Sequence, residues 1–215
     1  MHSLSSWSGG KDSCFALMKA MEAGLKPAVL LNVMNESGKI SRSHGIPENI
    51  LRAQAAAAGL PIHLISSSWQ DYEQNFVAAL LYLKTNYHLT HAVFGDIDLQ
   101  AHRDWEEKVC GKAGLEAYLP LWLGDRRKLV FEMMQSSIET MIVSCNSIMG
   151  PSFLGKTITP SLVDELEALG VDACGENGEF HTLVYNCPLF SDALNVSVTN
   201  KMEHEQYWFS ELVLT

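Results

Sequence analysis

Along the first half of the chain, short apolar runs alternate with stretches whose apolar residues recur at helical spacing. Leu4-Ser5-Ser6-Trp7 reads as a short strand, after which Cys14, Leu17, Met18, Met21 and Leu25 share one face of a helix. Lys26-Pro27 leads into Ala28-Val29-Leu30-Leu31-Asn32-Val33, the nearly continuous apolar run of a buried parallel strand. Pro47 opens a helix that runs through Ala58 and closes at Gly59, and Pro61-Ile62-His63-Leu64-Ile65 is the next strand. Tyr72, Phe76, Ala79, Leu80 and Leu83 repeat with helical period, and Ala92-Val93-Phe94 is a fourth strand that ends in Gly95-Asp96. A polar helix over 101–112 and a short strand at 115–118 complete the series. This rhythm predicts an α/β fold built on a doubly wound parallel sheet, with its site at the C-terminal ends of the strands. The loop after Trp7 and the Gly95-Asp96 corner both lie at such ends.

After Pro120 the rhythm changes. A helix over 127–136 precedes the strand Thr140-Met141-Ile142-Val143-Ser144, and a second helix over 161–169 lies between Pro160 and Gly170. The tail, 193–199 and 206–214, reads as two strands of a hairpin or edge pair. The expected organisation is a first unit over 1–120 and a smaller α/β unit over 121–215, packed around a shared cleft with no low-complexity linker between them.

Composition narrows the functional classes. With 47% hydrophobic and 19% charged residues, the 215-residue chain has the make-up of a soluble globular protein. A net charge of −10 excludes a broad electrostatic grip on nucleic acid. Arg126-Arg127-Lys128 is the clear basic cluster, and it is expected to cap or solvate a helix face. The apolar run 76–83 is too short to cross a bilayer, and the N-terminus lacks the features of a secretion signal. The expected compartment is the cytoplasm, with no membrane or nucleic-acid partner. The five cysteines are scattered and never spaced C-x-x-C, so neither a metal nor a disulfide framework is expected.

Four clusters carry candidate chemistry. Ser8-Gly9-Gly10-Lys11-Asp12-Ser13 sits between a strand and a helix, where backbone N–H groups and the helix dipole converge on one point. Its two glycines let the backbone close on an anion, Lys11 adds a positive charge and the serines add hydroxyl donors, a set that suits phosphate. Asp172-Ala173-Cys174-Gly175-Glu176-Asn177-Gly178-Glu179-Phe180-His181-Thr182 crowds carboxylates, an amide, an imidazole and a hydroxyl into one stretch able to bind Mg²⁺, orient an amine or move protons. Asp96-Ile97-Asp98 with His102, Arg103 and Glu106 forms the third, where helical spacing brings His102 and Arg103 alongside Glu106. Ser41-Arg42-Ser43-His44-Gly45-Ile46 is a polar loop at another strand end, suited to substrate recognition through His44. A competing motif, Gly150-Pro151-Ser152-Phe153-Leu154-Gly155-Lys156-Thr157, fits G-x-x-x-x-G-K-T formally. Thr159-Pro160 follows at once and blocks the helix that such a loop needs, so this match is expected to be chance.

The first cluster resembles the pyrophosphate loop of N-type ATP pyrophosphatases. Together with Gly95-Asp96-Ile97, His102-Arg103, Trp105-Glu106, Pro120-Leu121-Trp122 and Gly175-Glu176-Asn177-Gly178-Glu179-Phe180-His181-Thr182, the chain is similar to the diphthine–ammonia ligase family over nearly its whole length. The resemblance implies a Rossmann-like, adenine nucleotide alpha-hydrolase-like domain followed by a smaller domain carrying the Glu176 loop. It implies an ATP-dependent ligase with ATP and Mg²⁺ as cofactors: a substrate carboxylate takes the adenylyl group, pyrophosphate leaves, and ammonia displaces AMP to give an amide. Ser8, Gly9, Gly10, Lys11, Asp12, Ser13, Gly95 and Asp96 would hold the nucleotide, with Asp12 and Asp96 placing the metal. Lys11, Glu176, Glu179 and His181 are the catalytic candidates, and His44, His102, Arg103, Glu106, Asn177 and Thr182 the substrate-binding ones. The implied partners are ammonia and a small-molecule or protein-borne carboxylate, which is elongation factor 2 if the acceptor is diphthine; a homodimer is allowed. Ser41–Ile46 departs from the Tyr-Met-aromatic pattern of diphthine-modifying members, which leaves the acceptor open. Two other classes stay open: a tRNA-thiolating enzyme with the same loop, and a non-catalytic ATP sensor.

Overall fold

The computed structural model describes residues 1–215. Five short strands, β1 (His2–Ser6), β2 (Lys26–Met34), β3 (Ile62–Ser66), β4 (His91–Val93) and β5 (Glu116–Tyr118), form an all-parallel sheet in the order β3-β2-β1-β4-β5. Helices α1 (Lys11–Glu22), α2 (Glu48–Ala57), α3 (Tyr72–Tyr87) and α4 (Gln100–Ala113) make the crossovers. The chain winds outward in one direction from β1 to β3, then returns to the other side of β1 with β4. That reversal opens a crevice between the C-terminal ends of β1 and β4, where α/β sheets bind ligands. The two loops that emerge there begin at Trp7 and Phe94, so the order of strands brings the Ser8 loop to Gly95-Asp96.

After helix α5 (Arg126–Gln135), strands β6 (Glu139–Asn146), β7 (Phe180–Asn186), β8 (Val196–His204) and β9 (Tyr207–Leu214) build an antiparallel sheet in the order β7-β6-β9-β8, with helix α6 (Pro160–Ala168) between β6 and β7. The tail is the expected hairpin, but β8 begins at Val196 and runs five residues past Thr199 to a turn at Glu205, which has φ 56°. Strand β7 is the element that its sequence concealed. Phe180, His181 and Thr182, read as part of a polar loop, are its first three residues, with Phe180 and Thr182 buried and His181 half-buried.

The first sheet buries its two faces differently. Leu4, Val29 and Leu31 face α3 and α4 through Phe76, Leu80 and Val109. On the other face, α1 and α2 supply Phe15, Leu17, Ile50 and Leu51 to a core that continues without a break into Ile142, Val163, Phe180 and Leu183 of the second half. Apolar burial, which drives such packing, therefore joins the halves instead of merely closing each. Of the five residues placed on one face of α1, Cys14 and Leu17 are buried, whereas Met21 is 41% exposed and Leu25 lies past the helix end. No helix is long and apolar enough to cross a membrane.

Candidate active site

The loop Trp7–Gly10 turns the chain from β1 into α1. Gly9 sits at φ +86°, and a Cβ there would lie 2.9 Å from both Gln54 Oε1 and Ile46 Cδ1, so both conformation and space demand glycine. Gln54, fully buried on α2, accepts a hydrogen bond from Trp7 Nε1 (3.0 Å) and donates to the carbonyls of Gly9 (2.9 Å) and Val184 (2.7 Å). Val184 N–H of β7 donates to the same Gly9 carbonyl at 2.9 Å. Inside the turn, Ser8 Oγ accepts from Gly10 N–H (3.2 Å) and lies 3.0 Å from Ser13 Oγ. Gly10 is the N-cap of α1 and offers no side chain to the first-turn N–H groups, which are the donors that bind anions at helix N-termini. The loop after β4 closes on this turn from the other side. A Cβ on Gly95 would fall 2.7 Å from Asp12 C and 2.8 Å from Ser13 N, so any side chain there would push on the first turn of α1.

Lys11 joins the two halves of the site. Its backbone N–H donates to Thr182 Oγ1 at 3.1 Å. Its ammonium reaches Asp12 at 2.8 Å and the Cys174 carbonyl at 2.5 Å, and it stands 5.5 Å from the Phe180 ring centroid. Burial opposes its charge, but Asp12, Cys174 and Glu176 together hold its pKa above the ordinary value. The Ser8 loop and the Gly175–Thr182 stretch thus face each other across a cleft of 710 Å³.

Carboxylates collect in the same cleft. Asp96 Oδ1 pairs with His102 Nδ1 at 2.6 Å; burial pushes this carboxyl up, but hydrogen bonds with His102 and Glu106 hold it below its ordinary value. The same contact raises His102. Glu106, only 3% exposed, is pushed up to about 11 by burial and then by Asp96. Glu176 is raised to about 7, by burial first and then by Asp12. Two imidazoles complete the floor. His44 and His181 have ring centroids 4.5 Å apart, and burial followed by nearby positive charge lowers both, His181 to about 4. Both are therefore neutral near pH 7, able to accept a proton or donate one hydrogen bond.

Ser8, Lys11, Asp12, Ser13, His44, Gly95, Asp96, His102, Glu106, Glu176, Asn177, His181 and Thr182 all line this cleft. Gly9 and Gly10 shape its loop from behind. Arg103 and Glu179 do not line it. Arg103 pairs with Glu107 (2.7 Å) on the outer face of α4 and lies over the Trp122 ring. Glu179 folds back on its own loop, where it accepts from Asp172 N–H (3.2 Å), Asn177 N–H (3.1 Å) and Asn177 Nδ2 (3.0 Å). Cys174 is a buried thiol pushed up to about 12 by burial, and it donates to the Arg126 carbonyl at 3.0 Å, an arrangement that disfavours a nucleophilic thiolate.

One residue of the basic cluster has a part that the sequence did not disclose. Arg127 and Lys128 meet acids on the surface, as expected of a solvated face. Arg126 instead grips Asp98 with two parallel bonds (2.8 and 2.6 Å) and reaches Asp172 (3.0 Å) and Asn177 (3.2 Å) with its remaining nitrogen. Asp172 in turn accepts from Glu176 N–H at 2.8 Å. Arg126 therefore fastens the Glu176 loop to the loop after β4, with a fork geometry that lysine lacks. The other unforeseen group is aromatic: Trp69, Tyr72, Phe76 and Trp105 pack along the cleft in stacked and tilted pairs, with neighbouring centroids 5.1–6.1 Å apart. The helical spacing of Tyr72 and Phe76 was visible, but their meeting with Trp105 depends on α3 and α4 lying side by side.

Two family models match the chain: the diphthamide synthase N-terminal domain over residues 1–117 and the diphthamide synthase C-terminal domain over 125–214. A diphthine–ammonia ligase of Schizosaccharomyces pombe is 28% identical over 220 residues, 92% of this chain and 36% of its own length. The chain thus spans about a third of that protein, but 83% of the human diphthine–ammonia ligase, to which it is 25% identical. It spans 89% of the Danio rerio one, at 26% identity.

Proposed function

The chain belongs to the diphthamide synthase family, and from that premise we propose that it is an ATP-dependent ligase that joins ammonia to a carboxylate. The observation that supports this most is the position of Lys11, which touches both the anion-binding turn and the Cys174 carbonyl of the acidic loop. A phosphate chain held at Ser8–Ser13 thereby lies against the groups suited to handling an amine.

In this reading the carboxylate oxygen of the acceptor attacks the α-phosphorus of ATP. The bond from that phosphorus to the bridging oxygen breaks, and pyrophosphate departs with the electron pair. The first-turn N–H groups of α1 other than that of Lys11, the Ser8 and Ser13 hydroxyls and the Lys11 ammonium receive the growing negative charge on the leaving group. The chain gathers no set of three His, Cys, Asp or Glu side chains in metal-binding reach. Asp12 and Asp96 line the same cleft, and one or two carboxylates completed by phosphate and water is the usual setting of Mg²⁺. They are the residues to hold it, and its chemistry there is to offset phosphate charge. In the second half-reaction ammonia attacks the acyl carbon and AMP leaves. Only the neutral amine attacks, so an ammonium proton must first be removed. Glu176, at about 7, is suited to take it, with neutral His181 as the neighbouring acceptor. Elongation factor 2 carrying diphthine is the first protein acceptor to test, with the Ser41–Ile46 loop as the segment that sets acceptor choice.

The test is to incubate the protein with ATP, Mg²⁺, ammonium and a panel of ¹⁸O-labelled carboxylates, diphthine-bearing elongation factor 2 included. AMP that carries the label, with pyrophosphate and an amide, is expected. ADP and phosphate as the products would overturn the proposal.

A further inference from the structure

One buried carboxyl oxygen of the cleft has no partner. Asp12 has Lys11, Asp96 has His102 and Asp98 has Arg126. Glu106 has no ion pair. Its side chain lines the cleft from the middle of α4 and is 97% removed from solvent, and its Oε2 is enclosed without any hydrogen-bond partner. A buried carboxyl oxygen left unsatisfied is costly, and proteins retain one where a ligand completes it.

The surroundings restrict what that ligand is. Tyr72, Phe76 and Trp105 form the adjoining wall, with Tyr72 and Phe76 at 5.6 and 5.1 Å from the Trp105 centroid, and Phe94 lies 6.4 Å beyond Phe76. Aromatic faces attract monovalent cations that shed water easily. Mg²⁺ sheds its water reluctantly and gains nothing from such a wall. The enclosed position of Oε2 favours an ion no larger than a water molecule over a bulky alkylated amine.

We propose that this corner is the ammonium pocket of the enzyme, in which Glu106 receives NH₄⁺ behind the wall formed by Tyr72, Phe76 and Trp105. That the cation is ammonium rests on the ligase reading above; a site for a small monovalent cation stands without it. The pocket lies on the Asp96 side of the same cleft that the Ser8–Ser13 turn lines, so the nitrogen nucleophile is loaded into the cavity where the acyl-adenylate would form.

Thallium(I), an ammonium-sized ion with a strong anomalous signal, is the probe. Crystals of the full chain soaked in thallium(I) acetate are expected to show an anomalous peak beside the Glu106 carboxylate. Ammonium acetate should displace it, and sodium acetate at equal ionic strength should not. Glu106→Gln should abolish the peak and raise the half-saturating ammonium concentration for AMP formation by about tenfold or more, the scale of one lost charge-assisted bond. Half-saturation by ATP should move by less than about twofold, on the same scale. If that variant fails to fold, the competition in the unmodified protein still decides. No peak at Glu106, or one indifferent to ammonium, overturns the pocket, as does one that persists in Glu106→Gln. A peak in a protein that yields no AMP with any carboxylate keeps the pocket and sinks the ligase reading. Ammonium-dependent AMP formation with no peak does the reverse.

Discussion

The chain contains two glycine-lysine turns, and the fold treats them in opposite ways. At the first, Lys11 is 3% exposed, opens a twelve-residue helix and points into a cleft at the crossing point of a parallel sheet. At the second, Gly150 begins a three-residue 3-10 turn, Pro151–Phe153, and no helix starts at Lys156. Lys156 lies over the Phe153 ring at 4.2 Å and pairs with Glu165 at 3.0 Å on the surface, while Thr157 Oγ1 lies 3.2 Å from Tyr185 Oη. Thr159 and Pro160 do start a helix, with Thr159 Oγ1 accepting from Leu162 N–H at 3.2 Å, so a first-turn donor there is already capped. The lesson is that a glycine-lysine pair acquires the geometry of an anion site only where a strand delivers it to a helix start at a sheet edge. The letters alone carry little information.

The contrast can be broken most forcefully at the lysines. Lys11→Ala is expected to weaken ATP binding by about a hundredfold in calorimetry, the scale of one buried charge-assisted contact. Lys156→Ala should leave it within about twofold, since exposed ion pairs contribute little. If both variants lose affinity equally, the second turn is part of the nucleotide site. Next in size is Gly95→Ala, whose added carbon meets backbone of α1 at 2.7 Å. It should lower stability by about 1–3 kcal/mol in thermal or denaturant unfolding, the usual cost of overpacking, and weaken ATP binding with it.

Arg126→Ala sharpens the comparison at the other side of the cleft. Loss of its fork on Asp98 should reduce amide formation about tenfold through misplacement of Glu176, with ATP affinity within about threefold, and lysine should restore little. An equal loss of ATP affinity would make Arg126 a general brace instead of a positioning residue for the acidic loop. The smallest effect is the pH profile. With Glu176 at about 7 and acting as a base, amide formation should rise a few-fold across neutral pH with a midpoint near 7, and Glu176→Gln should flatten that rise. The linkage sign follows from the same shift: a folded value above the ordinary 4.5 means that this group favours the fold at low pH, and that the contribution is lost as pH rises through about 7. A profile unchanged in Glu176→Gln assigns the proton to another group, His181 first.

Much of this was legible beforehand because it rests on local rules. Strand-helix alternation gave the parallel sheet, and Gly-Gly-Lys after an apolar strand gave the turn at its edge. What stayed hidden depends on partners distant in sequence. Phe180-His181-Thr182 looks like the end of a polar loop until β6 supplies a strand to pair with. Arg126 is indistinguishable from its basic neighbours until Asp98 and Asp172 approach it from both sides. Glu179 has the same side chain as Glu176, yet the two N–H groups of its own loop take it out of the cleft. No periodicity or spacing encodes such distinctions.

Gln54 has a practical consequence. Its amide ties Gly9 to Val184, so the Ser8–Gly10 turn borrows its outer support from a strand 130 positions downstream of Gln54. Anyone wishing to produce the parallel-sheet half alone would naturally sever the polypeptide near Pro120, and the excised piece would carry a turn stripped of its scaffold. Shuffling the halves between homologues faces the same obstacle: the glutamine and the strand it grips must travel together.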